Sequence, residues 1–445
     1  MEEIKLSADE LVTSLLSLDE NEPVYVFDSC GVAHLGSHLL IAGVRPVAVF
    51  EIDNNDPAEV LKTLDDKLEQ SLAAIFTLSY DFGIKLQPIS AKTRREKSAE
   101  PDLHLALFDF LIVHDYDSAR TFIVGNGHDS SKVDRLFDAR FPNPSIESVS
   151  YGTTEVVSNL TKSAYVAAVE LIQERIRDGD TYQTNLTQQL RCKLPQGATP
   201  ESIYWRLRRD HPAPFSAFLR RGNSTVVSAS PERFFRTTRA GEIESSPIKG
   251  TRPRGKNIEE DARLRSELLA SAKDRAENVM IVDLLRNDLG RVCEYGSVTV
   301  EKLCDIEEHP TLFHLVSTIR GDLRDGVRFS EILRAVFPCG SITGAPKIRT
   351  MEIIDEIEDS ARGLSMGAIG IYLPESWNFG DTSVDNVLDL SVAIRTMVIR
   401  DSEAVFNVGG GIVIDSVPEK EYEESLLKAQ SLLNAMGTLG FGNND

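Results

Sequence analysis

In the segment Ser245-Ser246-Pro247-Ile248-Lys249-Gly250-Thr251-Arg252-Pro253-Arg254-Gly255, three cations stand among residues that fix turns. The chain as a whole is acidic, with 48 Lys and Arg against 69 Asp and Glu. A basic loop in that setting is either a clamp for carboxylates or a solvated surface loop. Lysine acts as a nucleophile only when neutral, so a reactive Lys249 needs burial or a neighbouring cation to depress its pKa. Arg252 is the candidate cation. Asp274 and Glu277 stand three apart within Ser271 to Arg286, whose periodicity predicts a helix. Glu421 and Glu424 repeat the spacing after Ser416-Val417-Pro418-Glu419, which reads as a capping box with proline in the first turn. Two helices with paired carboxylates suit Mg²⁺, a hard cation that takes a few carboxylates plus water and substrate oxygens. Acids in a first turn also suit the helix dipole with no metal present. His309 and His314 are five apart, off the zinc-helix spacing, and read as separate or structural.

Elements must position these groups. Short apolar runs at Val24 to Phe27, Leu39 to Ala42, Leu105 to Val113 and Thr121 to Val124 predict a sheet-rich first region with one helix, Pro57 to Leu72. Lys85 to Asp102 reads as a surface loop. Periodicity lapses from Asn143 to Ser158 and resumes as a helix at Thr161 to Arg177. The organisational boundary is therefore placed there, giving regions 1–155 and 156–440. In the second region Leu388, Leu390, Val392 and Ile394 alternate with Asp389, Ser391, Ala393 and Arg395, a half-buried strand. A turn at Asp401-Ser402 leads through Ala404 to Val408 into Gly409-Gly410-Gly411, a run that lets backbone approach a ligand closely.

The bulk numbers restrict partners and compartment. A net charge of −21 repels phosphate backbones and anionic lipid, which argues against nucleic acid and membrane as partners. No apolar stretch is long enough for a transmembrane helix. The first ten residues are acidic and lack a signal-peptide pattern. Five scattered cysteines without CxxC spacing fit a reducing cytoplasm and no structural metal. No dinucleotide loop, Walker sequence or GxSxG elbow is present.

Taken in order, these segments resemble the chorismate-utilising family, which includes the anthranilate, aminodeoxychorismate, isochorismate and salicylate synthases. The resemblance runs from about Ser163 to Lys428, with a weaker echo in Leu78-Ser79-Tyr80-Asp81. It is carried by Gly179-Asp180-Thr181-Tyr182-Gln183-Thr184-Asn185-Leu186, Ala229-Ser230-Pro231-Glu232, Pro247 to Gly255, Ala276-Glu277-Asn278, Asp283 to Asp288, Gly340 to Lys347 and Pro418 to Glu424. Water-using members carry a lysine where this chain has Gln183, so it resembles the ammonia-using branch. Anthranilate-forming members usually read Pro-Ile-Ala-Gly where this chain has Pro247-Ile248-Lys249-Gly250, as aminodeoxychorismate-forming members do. Ala213-Pro214-Phe215-Ser216-Ala217-Phe218 points the same way.

The resemblance implies an α/β fold of the α+β type. Two large antiparallel sheets pack as a sandwich with outer helices, the two regions intertwined. It implies Mg²⁺ held by Glu277 and Glu424, with Asp274 and Glu421 acting through water. Lys249 becomes the nucleophile towards chorismate and Glu232 the general acid. Arg395 and the N–H groups of Gly409, Gly410 and Gly411 hold the enolpyruvyl carboxylate. Gln183, Thr251, His314, Ser341 and Thr343 line the substrate. The implied product is 4-amino-4-deoxychorismate, on the route to 4-aminobenzoate and folate, with ammonia from a separate glutamine amidotransferase subunit in a heterodimer. The alternative is the anthranilate-forming reaction. Many relatives have an aromatic residue at the position of Ser365; its loss either loosens the contact to the enolpyruvyl carboxylate or leaves that contact to another residue.

Overall fold

The computed structural model describes residues 1–32, 38–53, 56–89, 98–125, 154–308, 312–380, 382 and 384–438. His309, residues 90–97 of the predicted loop from Lys85 to Asp102 and most of the lapse from Asn143 to Ser158 lie outside the described residues.

Elements are numbered in chain order. The first region holds β1 (Glu2–Ile4), α1 (Ala8–Leu16), β2 (Val24–Asp28), β3 (Leu39–Val44), β4 (Ala48–Ile52) and α2 (Pro57–Leu68). It continues with β5 (Ala73–Leu78), α3 (Tyr80–Leu86), β6 (Leu103–Phe108), β7 (Phe110–Asp115) and β8 (Arg120–Gly125). Then come β9 (Val156–Ser158), α4 (Lys162–Arg177), β10 (Gln183–Lys193), α5 (Pro200–Asp210), β11 (Phe215–Arg221), β12 (Ser224–Ser230) and β13 (Arg233–Thr238). β14 (Glu242–Ser245), β15 (Ile248–Pro253), α6 (Ile258–Ala270), α7 (Ala272–Gly290), β16 (Thr299–Glu308), β17 (Leu312–Asp322) and α8 (Phe329–Val336) follow. The chain closes with a 3-10 turn (Gly340–Ile342), β18 (Gly344–Ala345), α9 (Lys347–Ile357), β19 (Ala368–Tyr372), β20 (Asn386–Val392), β21 (Thr396–Arg400), β22 (Glu403–Ile412) and α10 (Pro418–Met436).

Among the described residues the strands form the two antiparallel sheets expected. One has twelve strands, β1-β8-β7-β3-β2-β11-β12-β21-β22-β10-β18, with β9 also on β10. The other has ten, β15-β17-β14-β13-β20-β19-β5-β6-β4, with β16 on β17. Strands from before and after residue 155 pair in both sheets, β2 with β11 and β5 with β19, so the two regions share one framework.

Side-chain alternation sorts each strand between two cores. On β2, Val24 and Val26 face the outer layer of α1, α5 and α10, while Tyr25 points between the sheets. On β5, Ala74, Phe76 and Leu78 meet α2, α3, α7 and α8, whereas Ala73 and Ile75 join the inter-sheet core. Among the described residues no helix is long and apolar enough to cross a membrane.

Two local expectations are corrected. The alternation from Leu388 stops at Val392, where β20 ends, and Arg395 has φ +48°, so it sits in a turn rather than on a strand face. Ser416 forms no capping box. Val417 is the N-cap of α10 without a side-chain bond, and the Ser416 hydroxyl donates instead to Glu421 at 2.7 Å. The turn at Asp401-Ser402 is present, with both residues at positive φ joining β21 to β22.

Candidate active site

Lys249 is aimed by a bulge. The pairing of β15 with β17 slips between Ile248 and Thr251, and Gly250 takes φ +79°. An extra residue bends the strand and re-aims the side chain. A Cβ at Gly250 would lie 2.8 Å from Leu268 and 2.9 Å from Asp274, so glycine is required on both counts. Lys249 Nζ donates to Ser341 O at 3.4 Å, from the 3-10 turn across the cleft.

Burial lowers the Lys249 pKa, against the opposing pull of Glu277 and Glu232. The neighbouring cation that assists is Lys428, on α10. Arg252 does not have this role. Its guanidinium turns outward to Glu267 and Asp274, each at 3.3 Å. Adjacent strand residues point to opposite faces, and after the bulge Arg252 falls on the outer one.

Glu232 follows β12 and is 5% exposed, with Oε1 unpaired among the described residues. Burial raises its pKa, opposed by hydrogen bonding from Ser341 and by Lys249. A desolvated acid thus faces a desolvated amine, the pairing that general-acid chemistry beside a nucleophile requires.

The carboxylates of α7 and α10 also converge. Lys273 Nζ lies 3.9 Å from Glu277 and 3.8 Å from Glu421. Glu277 is raised by burial, and Asp274 and Glu421 push it further. Burial would also raise Glu424, but Lys428, at 2.9 Å, together with Lys273 and Lys249 holds it low. Among the described residues no three His, Cys, Asp or Glu side chains stand close enough to ligate one ion as placed. The donor set nevertheless fits Mg²⁺: hard oxygens whose mutual repulsion, seen at Glu277, a divalent cation would relieve.

The remaining predicted residues are distributed unevenly. Gln183 opens β10, is fully buried and has both amide atoms unpaired among the described residues. His314 Nδ1 meets Thr251 Oγ1 at 2.9 Å, with Thr251 on the exposed side. Ser341 lies between Lys249 and Glu232. Thr343 is buried and its hydroxyl is committed to Cys339 O at 3.0 Å, so it holds the turn. No carboxylate pairs with Arg395 among the described residues, and burial lowers its pKa.

The glycine run admits the protein's own side chains as well as a ligand. A Cβ on Gly410 would come 3.4 Å from Glu421 and Lys428, and one on Gly411 2.8 Å from Gln183 Nε2. Lys428 Nζ donates to Gly409 O at 2.9 Å. Ser365 accepts from Asn407 N at 3.0 Å, tying its loop to β22.

Sequence reasoning passed over Lys273, Lys428 and Cys339. The two lysines each sit four residues from an acid, Glu277 and Glu424, which was the available signal. Cys339 Sγ lies 3.3 Å from Ser341 Oγ, and burial pushes its thiol up to about 12. Nothing in its spacing indicated that.

The family profile for chorismate binding enzymes matches residues 22–434, and the chain belongs to that family. Aminodeoxychorismate synthase component 1 of Bacillus subtilis is 37% identical over 436 residues, 90% of each chain. Aminodeoxychorismate synthase of Streptomyces griseus is 39% identical over 354 residues, 77% of this chain. This chain spans only 47% of that protein's length. Among solved structures, anthranilate synthase component I from Streptococcus pneumoniae superposes with a TM-score of 0.73 at 27% identity, covering 88% of this chain and 92% of that one.

Proposed function

We propose that this chain combines chorismate with ammonia to give 4-amino-4-deoxychorismate through a covalent adduct on Lys249. The observation that carries the reading is Lys249 itself. A bulge aims its amine at Glu232 and the acids of α7, and burial favours its neutral form. Its amine attacks C2, the ring double bond shifts, and the C4 hydroxyl leaves as water with the proton that Glu232 supplies. Ammonia then attacks C4, the double bond returns and Lys249 is expelled. Two such shifts place nitrogen at C4, where direct attack at C2 would lead towards anthranilate.

Arg395 and the amides of Gly409 to Gly411 take the enolpyruvyl carboxylate, for which a guanidinium in a desolvated turn, with no carboxylate partner among the described residues, is suited. Glu277 and Glu424, with Asp274 and Glu421 beside them, would hold Mg²⁺. When bound, the ion neutralises charge near the ring carboxylate. His314, Ser341, Thr343 and Thr251 border the ring, and Gln183 faces the incoming nucleophile.

Ammonia comes from a separate glutamine amidotransferase subunit, and the product passes to a lyase that forms 4-aminobenzoate for folate. The cytoplasm is the expected compartment. The resemblance to anthranilate synthase component I keeps anthranilate formation as the second reading. Mass spectrometry of products from chorismate, Mg²⁺ and ammonium decides between them, with Lys249→Ala alongside. Wild type should give the aminated chorismate, and the variant should lose it or drift to anthranilate. Anthranilate and pyruvate from wild type would sink the first reading.

A further inference from the structure

Each of the four acids proposed to hold Mg²⁺ faces a cation of the protein itself. Arg252 lies 3.3 Å from Asp274, Lys428 lies 2.9 Å from Glu424, and Lys273 lies 3.9 Å from Glu277 and 3.8 Å from Glu421. Of these three cations Lys273 joins a carboxylate of α7 to one of α10. That is the same pair of helices a shared Mg²⁺ would join.

The other two cations are held by further bonds. Arg252 also pairs with Glu267 at 3.3 Å and donates to Thr251 O at 3.0 Å, and Lys428 donates to Gly409 O at 2.9 Å. The Lys273 side chain makes no other hydrogen bond or ion pair among the described residues. It is 52% exposed, against 15% for Glu277 and 7% for Glu421. The carboxylates are thus fixed in the cleft, whereas the ammonium can swing into solvent on its flexible stem without opening the fold.

The position of Lys273 in α7 is locally unfavourable. Ser271 caps the helix, accepting from Asp274 N at 3.3 Å, so Lys273 falls in the first turn. The helix dipole there favours acids and opposes cations. The attraction of Glu277 and Glu421 offsets that cost.

Burial opposes the charge on Glu277 and Glu424, and Lys273 is among the cations that favour it. A divalent ion does the same more strongly, at oxygen distances of about 2.1 Å. Mg²⁺ and an ammonium on the same two carboxylates repel each other at close range. Binding one therefore weakens the other.

We propose that Lys273 is a displaceable counter-ion that competes with Mg²⁺ for Glu277 and Glu421, and so sets the Mg²⁺ concentration at which the site fills. The inference rests on the Mg²⁺ reading above and gives that site a regulator built from its own chain.

The test is calorimetry of the full chain, treated with a chelator and then titrated with MgCl₂ alone. Lys273→Met removes the charge and keeps the stem, and should tighten the Mg²⁺ Kd about three- to tenfold, the scale of two long, half-exposed ion pairs. Lys273→Arg, which keeps the charge, should stay near wild type. Lys420→Met removes an exposed lysine of α10 that has no ion pair among the described residues, and should leave the Kd unchanged. Thermal unfolding gives a second readout: MgCl₂ should raise the midpoint of Lys273→Met more than that of wild type. Should Lys273→Met misfold, Lys273→Gln takes its place with the same expectation.

Unchanged or weakened Mg²⁺ binding in Lys273→Met overturns the competition, as does equal tightening in Lys273→Arg or Lys420→Met. In each of these cases, wild-type binding that Glu277→Gln weakens leaves the metal reading intact. If wild type and Lys273→Met both bind no Mg²⁺, with or without chorismate, the metal reading itself fails and the competition falls with it.

Discussion

Arg362 and Glu358 form an ion pair sealed from solvent just beyond α9, with Arg362 Nη2 2.7 Å from Glu358 Oε1 and neither side chain more than 2% exposed. The same guanidinium donates to Ile342 O at 3.1 Å and Asn185 O at 2.7 Å, while Glu358 accepts from Thr187 N at 2.8 Å. One pair therefore ties the 3-10 turn carrying Ser341 to the strand carrying Gln183. Removing one partner strands the other charge in the interior. Glu358→Leu should cost about 3–5 kcal/mol, and Arg362→Leu a similar amount. The double variant should recover part of that loss. Urea unfolding of the three proteins checks this, and additive losses would contradict it.

The two central groups give a pH profile with a defined sign. Lys249 has its pKa lowered by burial, so its neutral, nucleophilic form grows as pH rises through a value below 10.5. Glu232 has its pKa raised by burial, so its proton is lost as pH rises through a value above 4.5. kcat should climb on the acid side and fall on the alkaline side. The limbs belong to the coupled pair rather than to either residue alone. Glu232→Gln, which cannot supply a proton, should lower kcat about 10²–10⁴-fold with chorismate binding retained. A profile flat from acid to alkaline pH would exclude this pair as the titrating groups.

Chelation should abolish turnover, and Mg²⁺ should restore it. Glu277→Gln removes a half-buried oxygen ligand and should weaken Mg²⁺ binding at least about tenfold by calorimetry. Retained affinity would move the metal off α7.

Arg395 carries no carboxylate partner among the described residues and lies in a desolvated turn. If it holds a substrate carboxylate, Arg395→Met loses a charge-assisted bond. The chorismate KM should then rise about 10–100-fold. An unchanged KM would place the carboxylate elsewhere.

Gly250→Ala tests the bulge. Positive φ and contact with Leu268 and Asp274 both oppose a Cβ. The variant should lose at least about 1 kcal/mol of stability and more of its kcat, because Lys249 moves with the bulge. Circular-dichroism melting and initial rates read the two effects separately.

Much of this was legible in the residues. Short apolar runs marked β2, β3 and β8, and α2, α4 and α7 were visible from apolar spacing, with ends displaced by a few residues, whereas β5 was passed over. The hairpin at Asp401-Ser402 followed from turn chemistry. Ser416 misled because its spacing to Glu419 satisfies a capping box, whereas its hydroxyl bonds to Glu421 at 2.7 Å. Arg395 misled because the alternation continued in sequence after β20 had ended at Val392.

The sequence by itself named the candidate side chains, because residue types such as Lys249, Glu232 and the acids of two helices stand in ordered motifs. It also determined most of the elements, because periodicity is a local property of the chain. Only the tertiary structure decided that Lys428 rather than Arg252 accompanies Lys249, and that Lys273 stands between Glu277 and Glu421. It also decided that Asn407 lies against Thr187. These neighbours are far apart along the chain. Strand pairing and helix packing bring them together, and burial sets the protonation of the groups they surround, which no reading of local spacing can supply.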